Sequence, residues 1–85
     1  MSELEKKAIP GLTEGRIVHY VLPNEQHRPA VIVRVWDTVT GMSNLQVFMD
    51  GNNDKHVTHH GLDWVGSVFY SEEPKVNTWH YIEKA

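Results

Sequence analysis

The chain has 85 residues, no cysteine and a formal net charge of −3. That length holds one domain with a thin core and no disulfide to staple it. The acid excess argues against a protein that coats long nucleic acid, and no apolar run is long enough to span a bilayer.

The first segment, 1–14, stands apart from the rest. Ser2 and Glu5 have capping-box spacing for a short helix, Pro10-Gly11 would end it, and only Leu4 and Ile9 offer apolar anchorage. A flexible or short helical arm is expected here, followed by one domain over 15–85. The opening Met1-Ser2-Glu3-Leu4-Glu5-Lys6-Lys7 lacks the apolar stretch of a signal peptide. With Ser2 in place of Gly and no cysteine for a prenyl or palmitoyl group, a cytoplasmic protein without membrane contact is expected.

Five strands are predicted, at 15–22, 29–37, 44–49, 63–70 and 78–82. The first two form a hairpin around Pro23-Asn24-Glu25-Gln26. In the second, Val31, Val33 and Val35 alternate with Ile32, Arg34 and Trp36. The valine face is the expected core. The other face, with Ile32, Trp36 and Phe48, is expected to be covered by a second copy of the chain. Thr40-Gly41 and Asp50-Gly51 mark turns, and Pro74 excludes 71–75 from a central strand. Five short antiparallel strands bury their edges best by closing. The expected fold is all-β, a small five-stranded SH3-like antiparallel barrel. Trp64 and Trp79 are expected to cap its ends, with Trp36 and Tyr20 exposed.

No catalytic motif is present. Ser43, Ser67 and Ser71 lack a nucleophile elbow, and Glu72-Glu73 point apart on an extended chain. His19, His27 and His80 are the available bases, but no enzyme is expected. His56-Val57-Thr58-His59-His60 has an i, i+4 histidine pair but no helical setting, since Gly61 follows and β-branched residues intervene. Asp50-Gly51-Asn52-Asn53-Asp54 starts like a calcium loop, then has Lys55 where glycine is needed and Gly61 where glutamate is needed. Neither is assigned a metal, and no cofactor is expected.

All three arginines, Arg16, Arg28 and Arg34, fall in 16–36 against one acid, Glu25. Residues 50–73 hold five acids against Lys55. Guanidinium forks recognise phosphate and aromatic faces stack on bases. Arg16, His19, Tyr20, His27, Arg28, Arg34 and Trp36 are therefore the candidate ligand-binding residues, for a small anionic, nucleotide-like ligand. A protein-interaction surface is the alternative.

The set Gly15-Arg16-Ile17-Val18-His19-Tyr20, His27-Arg28-Pro29-Ala30, Asn44-Leu45-Gln46-Val47-Phe48, Asp50-Gly51, Asn53-Asp54 and Thr78-Trp79-His80 resembles a widespread group of short proteins of tailed bacteriophages and prophages, most of them labelled hypothetical. It covers about residues 15–82 and departs at Lys55–Gly61. The resemblance implies an accessory protein working in the host cytoplasm. A non-enzymatic, homo-oligomeric anti-defence protein that sequesters a nucleotide-derived host signal is the expectation. A virion component or an inhibitor docked on a host protein is the alternative.

Overall fold

The computed structural model describes residues 7–50 and 61–83. The strands are β1 (Ile17–Val21), β2 (His27–Val35), β3 (Ser43–Phe48), β4 (Leu62–Tyr70) and β5 (Thr78–His80). They hydrogen-bond in chain order and β5 returns to β1, giving a closed, five-stranded, SH3-like barrel. No helix among the described residues is long and apolar enough to cross a membrane. The pairing is antiparallel except at one joint: β4 and β5 run parallel. This corrects the expectation of a wholly antiparallel barrel. The connection 71–77 carries the chain over before β5 begins, so β5 lies beside β4 in the same direction. β5 closes the barrel with two pairs to β1, His19↔His80 and Tyr20↔Trp79.

The core holds Val18, Tyr20, Leu22, Ala30, Ile32, Leu45, Val47, Val68 and Trp79. It is not built on the Val31–Val33–Val35 face. Val18 lies opposite Ala30 and Ile32 opposite Leu45, so the inward side of β2 starts as Ala30 and Ile32. A bulge between Ile32 and Arg34 then breaks the alternation. Val33 is thrown outward, 48 % exposed, and Val35 turns in opposite the buried Ser43. Ile32 is core and unavailable to a second copy, while Trp36 and Phe48 remain exposed. Two further expectations reverse. Tyr20 is buried, its hydroxyl donating to Asn77 Oδ1 at 3.0 Å. Trp64 stands 61 % exposed while Trp79 is wholly enclosed, so the two do not cap the barrel as a pair.

The segment before β1 packs against the barrel. Ile9 N–H donates to Thr38 O, Leu12 packs on the core, and Tyr81 donates its hydroxyl to Pro10 O at 2.6 Å. No helix forms in 7–14.

The turn between β2 and β3 is set by Asp37, whose Oδ1 accepts from Val39 N–H at 2.8 Å and Thr40 N–H at 3.4 Å. These amide bonds hold the Asp37 carboxyl below the usual range. The turn delivers Gly41 at φ +79°, a conformation that suits glycine. Gly41 O then accepts both Trp79 Nε1–H at 2.8 Å and Ser43 Oγ–H at 2.9 Å. A side chain at 41 would be strained by that φ and would run into Tyr70 Cβ and Ile9. Gly41→Ala should cost about 2 kcal/mol or more, read as a lower urea midpoint at unchanged slope.

Candidate metal centre

Strand alternation places three imidazoles together. In β1, Val18 and Tyr20 point inward, so His19 between them points outward. In β5, Trp79 fills the core and His80 therefore turns to the outer side. His19 and His80 are direct cross-strand partners. In β2, Pro29 lies opposite His19, and His27, two residues before it, shares that face. Three adjacent strands, β5, β1 and β2, thus each contribute one histidine to one outer patch. Ring centroids lie 6.0 Å apart for His19–His27, 5.8 Å for His19–His80 and 4.7 Å for His27–His80, all edge-to-face.

The chain leaving β5 folds back over this patch and supplies a carboxylate. Glu83 Oε1 lies 2.7 Å from His19 Nδ1, and Oε2 lies 2.9 Å from His27 Nδ1 and 2.5 Å from His80 Nε2. Side-chain exposure rises from 6 % at His80 through 25 % at His19 and 29 % at His27 to 45 % at Glu83. The cluster is closed on the barrel side and wet on the other. Partial burial pushes the Glu83 carboxyl up. Hydrogen bonds from its own backbone amide, His19 and His80, with the His80 charge, outweigh that and hold it down at about 2. On the far side of the His80 ring, Nδ1 is buried with no hydrogen-bond partner among the described residues.

One ligand atom from each of His19, His27, His80 and Glu83 falls within 4.8 Å of every other. A tetrahedral ion with bonds near 2.05 Å needs donors roughly 3.3 Å apart. The Glu83 oxygens, 2.5–2.9 Å from the ring nitrogens, stand closer than that, so the carboxylate has to draw back for an ion to enter. Imidazole with carboxylate is the donor set of zinc, copper, iron or nickel, not of calcium or magnesium.

The seven residues predicted to bind a ligand do not form one site. His19 and His27 meet in the cluster. Tyr20 faces the opposite side of the sheet, where burial and then the Asp63 charge push its phenol up. Arg16 covers the Tyr81 ring at 4.4 Å and donates to Gly11 O at 3.2 Å. Arg28 donates to His27 O at 3.0 Å and to Gln26 Oε1 at 2.7 Å. Arg34 stacks on Trp36 at 4.0 Å, and Trp36 Nε1–H donates to Asn44 Oδ1. His56, His59 and His60 lie outside the described residues. In the sequence His80 stands out only as an available base, and Glu83 carries no local signal. The available signal was period-two alternation: with Trp79 inward and Val18 and Tyr20 inward, His80 and His19 share the outer face.

Fold and cluster together define a small closed β-barrel with a three-histidine, one-carboxylate patch on its outer wall. No family model, curated protein or solved structure matches the chain.

The depressed Glu83 carboxyl predicts an acid limit for the metal-free protein. Its folded value of about 2 lies below the ordinary 4.5. The stabilisation is therefore fully present above pH 4.5 and is lost as pH falls toward 2. The stability difference between the parent and Glu83→Gln should shrink across that window, measured by urea unfolding at stepped pH. A constant difference would contradict it.

Proposed function

We propose that the protein binds one transition-metal ion of the zinc class, held by His19, His27, His80 and Glu83. The observation that carries this reading is the convergence of four donor atoms within 4.8 Å from three strands and the segment after β5. The bland alternative is a structural cluster in which the histidines only hydrogen-bond Glu83. Three imidazoles packed edge-to-face around one carboxylate bring more nitrogen donors together than one carboxylate needs, while His80 Nδ1, buried and unpartnered, is the one feature that opposes a metal. Binding at His80 Nε2 moves the ring proton to that buried Nδ1. The unmatched donor costs about 1–3 kcal/mol, small against the roughly 10–16 kcal/mol of zinc at a built site.

The ion would bridge the seam where β5 meets β1, since His19 and His80 are partners there. Metal binding and barrel closure are then coupled. Zinc at 100 times its dissociation constant adds about 2.7 kcal/mol, a rise in melting temperature of roughly 10–20 °C for a domain of this size. Calorimetric titration should give one ion per chain. His27→Ala, at a part-exposed position, should lower affinity more than about 100-fold while the protein stays folded. Equal zinc affinity in parent and variant would overturn the reading.

A second reading, capture of a nucleotide-like anion, is supported by the exposed Arg34–Trp36 pair, which sets a guanidinium beside an aromatic ring. It predicts heat on titration with cyclic dinucleotides, lost in Arg34→Ala. Absence of heat with folded protein removes it.

A further inference from the structure

We propose that in the metal-loaded protein the three histidines are the fixed ligands and Glu83 is an exchangeable fourth, so that the ion takes a small carboxylate in its place. This rests on the metal-binding reading above. Three observations carry it. First, His19, His27 and His80 are borne on paired strands, His19 and His80 beside the buried Tyr20 and Trp79, while Glu83 lies beyond β5 on the chain that leaves the barrel. Second, Glu83 is the most exposed of the four, at 45 %. Third, the carboxylate sits 2.5–2.9 Å from all three ring nitrogens. That is the space an ion equidistant from the three rings would occupy. Loading therefore displaces Glu83 outward by roughly the length of one metal–ligand bond, about 2 Å, toward the wet side. The ligand that must move to admit the ion is also the one that a solvent-borne anion can replace.

The surroundings favour an anion at that position. His27 forms one wall of an open groove of about 440 Å³, lined also by Val21, Glu25, Pro74, Lys75 and Val76. The groove runs between the β1–β2 turn and the segment before β5. Lys75 adds a cation to the lining that His27 shares, and Val21, Pro74 and Val76 add apolar surface. A carboxylate on the ion with a short apolar body in the groove matches this lining. Glu25 disfavours a second negative charge, so a monocarboxylate fits better than a dicarboxylate. Glu83 is then a tethered competitor for its own metal.

The test uses the full chain loaded with Co²⁺, whose visible spectrum reports the ligands on the ion, with acetate as the probe and succinate beside it. The expected result is a saturable spectral change with acetate, weaker with succinate. Acetate should bind roughly tenfold or more tightly to loaded Glu83→Ala, where the tethered carboxylate is gone, and roughly tenfold more weakly to loaded Lys75→Met. A loaded parent and a loaded Glu83→Ala whose spectra both ignore acetate would overturn exchange and leave metal binding standing. Equal acetate affinity in parent and Glu83→Ala would also overturn it. Failure of the parent to take up Co²⁺ at all would overturn the metal reading and this one together. Glu83→Gln, which keeps the shape of the side chain, should resemble Glu83→Ala in acetate affinity if charge competition is the cause.

Discussion

A strand of three residues has to close this barrel, and Trp79 makes that possible. Two backbone pairs to β1 and two to β4 are little to hold the closing strand in place. The indole adds what the backbone lacks. It is wholly enclosed, and a buried ring of that size contributes several kcal/mol of apolar transfer. Its one polar atom is matched by Gly41 O, so burial leaves no donor unpaired. Rings pack around it: Tyr70 at 4.9 Å and Tyr81 at 5.3 Å between centroids. β5 is fixed by its central side chain more than by its ladder.

The outer cluster follows from that arrangement. With Trp79 inward, His80 is forced to the outside of the same strand, and β1 brings His19 to face it. Glu83 is three residues further, so its reach to the patch is set by the same anchor. Tyr81 strengthens the placement from the other side. Its hydroxyl is tied to Pro10 O and its ring carries Arg16, which fastens the segments on either side of the barrel to one another.

Much of the fold was legible because β structure writes itself locally. Runs such as Ile17-Val18-His19-Tyr20-Val21 and Leu45-Gln46-Val47 carry the alternation, and Gly41 and Pro74 mark where it stops. Strand bounds moved by only one or two residues in most cases. What alternation cannot reveal is a bulge. One extra residue near Val33 gives β2 two inward sets in different phase, Ala30 and Ile32 before the bulge and Val35 after it, so no single alternating face describes the strand. The site was harder to read for a different reason. Its histidines are 61 residues apart at the extremes, and no local spacing joins His19 or His27 to His80. Only the closure of β5 on β1 does so, and closure is a property of the whole barrel. The pair His56 and His60, by contrast, is visible in sequence because its spacing is local.

The parallel joint between β4 and β5 has a dynamic meaning. β1 to β4 form a continuous antiparallel meander, whereas β5 is attached through two short contacts and a side chain. Sub-global opening of a domain follows its weakest cooperative boundary, and here that boundary runs around β5. Its detachment would expose Trp79 and scatter His80 and Glu83 in one event, while leaving β2, β3 and most of their amide bonds protected. Amide exchange in such a protein separates into two tiers, with the terminal strand as the upper layer of the folding hierarchy. An ion between β1 and β5 would act on that layer alone, slowing exchange at the seam long before it altered the centre of the sheet.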